Sequence, residues 1–231
     1  MKRKVVVLTG AGISAESGIK TFRDSDGLWE GHDVMEVASP QGFEKNPELV
    51  LDFYNQRRKQ LFSVLPNAAH MALKKLEAYF DVQIITQNVD DLHERAGSSS
   101  VVHLHGELLK VRCIGVEHEV NHWEKDLFLG DVCESGHQLR PHIVWFGEQV
   151  PMLDKAVEIT EDADILVIIG TSMQVYPAAG LINFVAPRTP IYFVDPKPSV
   201  SSSEYGNLTI IQNTAAKGVP TLVEDLIGTM P

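Results

Sequence analysis

Cysteine is nearly absent. Two in 231 residues cannot build a disulfide framework, which makes a reducing compartment the default and the cytoplasm the expected location. Basic residues are in deficit as well: Lys and Arg number 20 against 31 Asp and Glu, a formal net charge of -11. A chain this acidic lacks the cationic face with which nucleic-acid binders displace counterions. Long apolar runs are missing too. The first, Val5 to Leu8, falls far short of a signal segment or of the roughly 18 residues of a membrane span. Neither nucleic acid nor a membrane is therefore an expected partner. There is no internal repeat and no long linker, only a short Ser-rich loop from Ser199 to Ser203. What is left is ordinary globular composition, 44% apolar and 22% charged. A chain of this length buries roughly 70% of its extended surface and needs no staple.

Val5–Thr9, Val82–Gln87, Ile143–Phe146, Ile165–Gly170, Ile191–Asp195 and Leu208–Gln212 read as buried strands, rich in Val and Ile and free of polar alternation. Segments of helical period lie between them. Pro47 marks a first helical turn, with Leu49, Val50, Phe53, Leu61 and Phe62 recurring on one face behind it. Ala68–Phe80, Leu153–Glu161, Ala178–Val185 and Pro220–Ile227 are similar. Alternating strands and helices predict an α/β fold, a Rossmann-like doubly wound parallel sheet covered on both faces. Residues 106–141 break the pattern, being polar and irregular and holding both cysteines, and read as a small inserted module. The large domain is then 1–105 with 142–231.

Gly10, Gly12 and Ala15 directly follow the first strand and fit the glycine fingerprint of a dinucleotide fold. Gly10 would permit a tight turn and Gly12 a close approach to a pyrophosphate, with the next helix aiming its amides at the anion. An ordinary dehydrogenase would continue into a second strand ending in an acidic residue. Here a polar loop with Phe22 and Arg23 follows, which argues against hydride transfer.

Gly10-Ala-Gly-Ile-Ser14 with Thr21-Phe-Arg23, Thr86-Gln-Asn-Val-Asp90, His105-Gly106, Val144-Trp-Phe-Gly-Glu148 and Gly170-Thr-Ser172 occur in this order in the sirtuins, NAD-dependent protein-lysine deacylases. The chain resembles that family from residue 5 to about residue 227. The resemblance implies NAD as co-substrate and acyl-lysine proteins as partners. It also implies the reaction: the acyl oxygen attacks the ribose carbon bearing nicotinamide, and a histidine then activates a ribose hydroxyl, releasing lysine and O-acyl-ADP-ribose.

A lone histidine is more often structural than catalytic. The resemblance makes His105 the base, since it alone precedes a glycine, and leaves His103, on the same face by alternation, a supporting part. Gln87, Asn88, Val89 and Asp90 could form a plain polar turn. In the resembling family the Asn and Asp positions reach nicotinamide and its ribose, with Asn88 and Asp90 beside His105 as catalytic candidates and the Ile13 backbone completing carboxamide recognition. Ala11, Glu16, Thr21, Phe22, Arg23 and Trp29 complete the implied cofactor loop, Phe22 shielding the cationic sugar and Arg23 holding phosphate or ribose oxygens. Gly170, Thr171 and Ser172 would serve the phosphates and the adenine-side ribose, followed by Asp195, Pro196, Lys197 and Ala215. Two positions depart from the family pattern: Asp195 stands where Asn is usual, and Asn213-Thr214-Ala215 where the adenine loop is Gly-rich.

Tyr54 and Arg57 lie three apart on the helix behind Pro47 and share a face. A solvated helix face is the bland explanation. A phenol and a guanidinium aimed into one pocket can instead bind a carboxylate, and sirtuins that remove succinyl and malonyl groups carry Tyr and Arg at this spacing. The expected substrates are therefore succinyl- and malonyl-lysine, with acetyl-lysine also accepted. Val144, Trp145, Phe146, Gly147 and Glu148 would line the lysine tunnel, opposite Val175. Many sirtuins hold zinc on two Cys-x-x-Cys pairs. This chain has Val116 and Gly136 where two of those cysteines would stand. A structural zinc needs four ligands, so bound zinc is a possibility rather than the expectation; Cys113 and Cys133 would be the participants if zinc were held, with His118, His122 and His137 as further donors. Two other function classes stay open: protein mono-ADP-ribosyl transfer and non-catalytic NAD sensing. Binding alone needs no base, so His105 with Asn88 and Asp90 argues against the sensor.

Overall fold

A strand covered on both faces has no side for polar residues, and the apolar runs of this chain assemble accordingly. A computed structural model describes residues 2–20, 28–115, 119–201 and 205–229. In chain order the strands are β1 (Lys4–Thr9), β2 (Leu28–Trp29), β3 (His32–Asp33), β4 (Asp81–Thr86), β5 (Val101–His103), β6 (Gly106–Cys113), β7 (Val120–His122), β8 (Leu139–Ile143), β9 (Ile165–Ile169), β10 (Ile191–Val194) and β11 (Leu208–Ile211). The helices are α1 (Val34–Val37), α2 (Pro40–Lys45), α3 (Pro47–Ser63), α4 (Ala68–Leu76), α5 (Leu92–Arg95), α6 (Leu153–Glu161) and α7 (Ala215–Gly228).

Six strands form one parallel sheet in the order β11-β10-β9-β1-β4-β5. Counted along the chain, that is the dinucleotide-fold order 3-2-1-4-5-6, whose switch point lies between β1 and β9. Val5, Val7, Ile84, Val167 and Ile169 pack on one face against α4 and α7, through Leu73, Leu76, Val219 and Leu222. Val6, Leu8, Leu166 and Ile168 face the other side, toward Ala156 of α6 and the short turn of 3-10 helix Ala178–Asn183. Each such fully buried aliphatic side chain stabilises by about 1.5–3 kcal/mol relative to exposure.

β7-β6-β8 form a separate antiparallel sheet. It does not stand alone. α3 lays Val50, Phe53, Tyr54 and Leu61 against Leu108, Ile143 and Trp145, so the smaller layer draws on residues 34–63 as well as 106–143. No helix among the described residues is long and apolar enough to cross a membrane.

Four expectations need correction. Ile143–Phe146 is no strand of the parallel sheet: β8 ends at Ile143 and pairs antiparallel with β6. The sixth parallel strand is β5, Val-Val-His, too short at three residues to show as an apolar run. α7 begins at Ala215, so Pro220 sits inside it rather than at its start. Phe62 is 52% exposed, because the buried face of α3 runs through Leu51, Tyr54 and Arg58 instead.

Candidate active site

The carboxyl ends of β1 and β9 meet at the switch point. Gly10 N–H donates to Ile169 O and Gly12 N–H to Gly170 O, at 3.0 and 2.8 Å. A Cβ on Gly12 would lie 2.6 Å from Gly170 Cα. Glycine is thus required here by the crossing of two backbones, before any ligand is considered. No α-helix follows: Ala11–Ile13 and Ala15–Ser17 are single turns of 3-10 helix. The expected helix amides are replaced by tight-turn amides, of which Ile13 N–H is used by Gly10 O. Ile13 O accepts from Asn67 Nδ2 at 2.7 Å, so this backbone group is engaged within the protein. Thr21, Phe22 and Arg23 lie outside the described residues.

The loop after β4 carries Gln87, Asn88, Val89 and Asp90. Its side chains are fixed by one another and by the glycine loop. Ser14 Oγ donates to Asp90 Oδ2 at 2.9 Å and accepts from Asn88 Nδ2 at 3.2 Å. Asp90 Oδ1 accepts from Leu92 N–H, and Val89 O from Leu108 N–H. Burial pushes the Asp90 carboxyl above its usual range, against the hydrogen bonds that favour the charge. Ser14 stood in the sequence only as a letter of the glycine motif; its hydroxyl is the hinge of this triad. Gln87 reaches the opposite wall, donating to Thr171 Oγ1 at 3.1 Å.

His103 and His105 share a face, as alternation requires, with Val102 and Leu104 buried beside them. Both are oriented by successive carbonyls: His103 Nδ1 by Asn88 O and His105 Nδ1 by Gln87 O, each at 3.0 Å. A carbonyl only accepts, so Nδ1 of His105 carries the proton and Nε2 keeps its lone pair. Burial lowers the His105 pKa below 6.5, only partly opposed by that hydrogen bond, and the ring is neutral at pH 7. His103 differs. Burial would lower it too, but the Glu94 carboxylate, 2.8 Å from Nε2, outweighs burial and raises it. One ring is poised as a free base and its neighbour is tied up in an ion pair. Gly106, at φ 81°, follows His105 because a Cβ there would strike His142 O on β8; the chain changes sheets at that point.

On the β9 side, Gly170 has φ 59° and its N–H donates to Val194 O. Ser172, Gln174, Lys197 and Ser199 line a cavity of about 200 Å³. Asp195 is buried, and its Oδ1 accepts from Lys197 N–H at 2.7 Å; Pro196 is exposed. Ala215 is buried as the first residue of α7. The exposed Glu16 carboxylate takes Thr214 Oγ1–H at 3.0 Å and Ala216 N–H at 2.7 Å, satisfying the start of α7. Trp29 packs edge-on against Phe53 of α3, centroids 4.8 Å apart.

α3 carries two adjacent arginines of opposite character. Arg58 is 1% exposed and structural, donating from Nε to Leu108 O and from Nη1 to Asn55 Oδ1. Arg57 is half-buried with its guanidinium 4.9 Å from the Phe53 centroid, and its Nε has no partner among the described residues. Burial lowers the Arg57 pKa, and Glu30 partly restores it. Tyr54 is fully buried, and its Oη accepts from Trp145 Nε1–H at 3.0 Å.

That bond ties Tyr54 to Trp145, which is 2% exposed and has Arg140 stacked 3.4 Å from its ring centroid. Glu148 is likewise engaged within the protein. It binds Arg112 and Arg140 and accepts Trp145 N–H at 2.8 Å. Burial would raise its pKa, and the Arg140 and Trp145 hydrogen bonds hold it low instead. Val144, whose N–H donates to His105 O, Phe146, which is 42% exposed, and Gly147, at φ 90°, remain at the surface of this wall, with Val175 half-buried on the β9 side.

In the small module Cys113, Glu119 and Cys133 bring three donor atoms within 4.8 Å of one another. They fit part of a zinc site. A structural zinc needs four ligands, and no fourth Cys, His, Asp or Glu joins them among the described residues. His122 pairs with exposed Glu124, the His137 ring lies over Gly115, and His118 is outside the described residues.

The Sir2 family model matches residues 10–177. A protein of Helicobacter pylori called NAD-dependent protein deacylase is 58% identical over 97% of this chain and 98% of its own length. One of the same name from Bacteroides thetaiotaomicron is 51% identical over 97% and 98%. Among solved structures, a Sir2 homologue in complex with ADP-ribose superposes with TM-score 0.88 at 39% identity, covering 100% of this chain and 95% of that one. A Sir2 homologue–NAD complex gives 0.86 at 40%, covering 98% and 90%.

Proposed function

The chain belongs to the Sir2 family and is an NAD-dependent protein deacylase, and from that premise we propose that it prefers lysines carrying a short acidic acyl group, succinyl or malonyl, over acetyl-lysine. The observation that carries this reading is Arg57. A half-buried guanidinium with an unpaired Nε on an otherwise packed helix needs an anion, and no carboxylate of the described residues is bonded to it. Tyr54 supplies the second donor. Because Trp145 occupies a lone pair of its oxygen, the phenolic proton is left to be given away. An acetyl group offers neither residue a partner.

NAD supplies the ribose that accepts the acyl group and the nicotinamide that leaves. Within that chemistry His105 is the base. Its Nε2 takes the proton of a ribose hydroxyl while Gln87 O steadies the Nδ1–H of the imidazolium. Asn88 and Asp90, held rigid by Ser14, face the nicotinamide end, and Thr171, Ser172 and Asp195 the adenine end. The Asp195 carboxylate would accept from a ribose diol. The wall of Val144, Phe146 and Gly147 offers backbone groups to the lysine-bearing peptide of a protein substrate. Residues 106–141 act as the module that buttresses this wall, and its three-donor cluster would lend zinc a structural role only.

Mass spectrometry of acetyl-, malonyl- and succinyl-lysine peptides incubated with enzyme and NAD tests the proposal. The acidic acyl groups should leave with the higher kcat/KM, nicotinamide and O-acyl-ADP-ribose appearing in equal amounts. A higher efficiency on acetyl-lysine would overturn the preference. Nicotinamide release without any peptide would point to ADP-ribosyl transfer, and none with any peptide to a sensor.

A further inference from the structure

Beneath the loop that carries Asn88 and Asp90, α4 and α5 bury two histidines that the reaction does not use. His70 is 0% exposed and His93 1%, their ring centroids 4.9 Å apart at an interplanar angle of 61°. His70 caps the first turn of α4, its Nδ1 accepting from Asn67 N–H at 3.3 Å. Its proton is therefore on Nε2, and that Nε2–H has no partner. His93 Nε2 lies 3.1 Å from Thr9 Oγ1, and His93 Nδ1 has no partner. One buried polar atom without a partner is a cost that folds avoid. Two in neighbouring rings are complementary if one is a donor and the other an acceptor.

We infer that His70 and His93 are a positioning pair bridged by one water, His70 Nε2–H donating to the water and the water to His93 Nδ1, and that this pair fixes the end of β4 from which the catalytic loop springs. The remaining polarity follows from that bridge. With Nδ1 accepting, the His93 proton sits on Nε2 and is donated to Thr9 Oγ1. Thr9 donates in turn to Thr86 Oγ1 at 2.8 Å, and the Thr86 oxygen also accepts Asn88 N–H at 3.0 Å. The chain of hydrogen bonds then runs from the cap of α4 through Thr9 of β1 to Thr86 Oγ1, where it meets the Asn88 N–H donated from the other side. Reversed polarity would put a proton on His93 Nδ1, and a water accepting from both rings would then have to place both of its own hydrogens elsewhere in the core. Burial keeps both rings neutral: it lowers the His70 pKa to about 4 and, with the neighbouring His70, takes His93 well below its ordinary value.

Histidine-selective ¹⁵N labelling of the full chain reads the tautomers directly at pH 7. Both rings should be Nε2–H. A His93 ring protonated on Nδ1 would overturn the inference. Kinetics then test positioning, on whichever of the acetyl- and succinyl-lysine peptides the wild type turns over faster. His70→Leu and His93→Leu should each lower kcat roughly tenfold while KM for the peptide stays within about twofold, and the double variant should lose no more than either single. His93→Gln, which can donate and accept, should retain about half of kcat or more. Losses that multiply in the double variant, wild-type kcat in a folded single variant, or a Gln variant as slow as the Leu one would each show that the rings merely fill the core. If the Leu variants do not fold, the tautomers and the Gln variant decide.

Discussion

The crevice has two walls built from the same sheet edge and treated differently. On the β1–β4–β5 wall nearly every polar side chain is aimed by another protein group: Ser14 by Asp90, Asn88 by Ser14, His105 by Gln87 O and His103 by Glu94. On the β9–β10–β11 wall the groups are looser. Thr171 meets Gln87 and the Met173 amide, Asp195 holds its own loop, and Lys197 and Pro196 are exposed. Chemistry is more demanding of geometry than binding is. A misplacement of about 1 Å can cost a hundredfold in rate, whereas a dinucleotide gripped at many points tolerates the loss of one. In the proposed reaction the rigid wall is where bonds change and the looser wall is where the ligand is held. Substitutions on the two should therefore differ in kind, the first lowering kcat and the second raising KM for NAD.

The largest effect is expected at His105. His105→Ala removes the free Nε2 and should lower kcat roughly a thousandfold, within the 10²–10⁴ range of general-base catalysis, while NAD affinity measured by calorimetry stays within a few fold. Because burial holds the wild-type pKa below 6.5, the acid limb of the kcat/KM profile should fall below pH 6.5. An acid limb above pH 6.5 would point to His103, whose pKa is raised.

Next comes the acyl reader. Arg57→Met keeps much of the stem that packs on Phe53 and removes the charge. It should lower kcat/KM for succinyl-lysine by roughly one to two orders of magnitude, since a charged hydrogen bond contributes about 1.5–3 kcal/mol, and leave acetyl-lysine nearly untouched. Equal losses on both peptides would show that Arg57 serves the fold. Arg58→Met is the useful contrast. That side chain is sealed among Leu108 O and Asn55, so its loss should lower the melting temperature rather than the substrate ratio.

How much of this was legible beforehand follows from the same contrast. The apolar runs of β1, β4, β9, β10 and β11 and the motif order could be read because they depend on local sequence. β5 could not, being three residues long, and β8 was misplaced because its pattern carries Pro141 and polar His142 in an antiparallel sheet. Candidate residues were readable by type, but their partners were not. Trp145 reaches Tyr54 across 91 residues, Glu148 reaches Arg112 across 36, and Glu16 reaches Thr214 across 198. No periodicity encodes such pairings, so the intramolecular partners of Trp145, Glu148 and Glu16 show only in the structure. The roles of Ser14 and Asn67 carry no local signal either, each being defined by what it bonds far along the chain.

Acid should loosen the rigid wall first. His70, His93, His105 and His142 all have folded-state pKa values lowered by burial. Between pH 6.5 and about 4, the values that bracket His70, the unfolded chain binds protons that the folded protein refuses. Stability therefore rises with pH across that window and is lost as pH falls through it. His103 runs the other way: with its pKa raised, its pairing with Glu94 adds stability on the acid side and offsets part of the loss. Urea midpoints should drop from pH 7 to pH 5, and less so in His93→Gln. A midpoint that does not move would mean these rings are not held neutral in the fold.

The smallest effect separates clasp from contact on the looser wall. Glu16 ties the glycine loop to α7 by accepting from Thr214 Oγ1 and Ala216 N–H. Both acceptor oxygens are thus occupied by the protein, and a carboxylate at a helix start is favoured there by the unpaired amides and the dipole. Glu16→Ala should then act as the loss of a helix cap, about 1 kcal/mol, which for a chain of this size lowers the melting temperature by roughly 2–4 °C. KM for NAD should change by less than about threefold, since no ligand bond is removed, and kcat should hold because the rigid wall keeps its own partners. Glu16→Gln sharpens the reading: it keeps one acceptor oxygen and should recover part of the melting temperature. If Glu16→Ala instead raises KM for NAD tenfold or more with no change in melting temperature, the carboxylate leaves α7 to meet the cofactor, and the looser wall is organised by its ligand rather than by the chain.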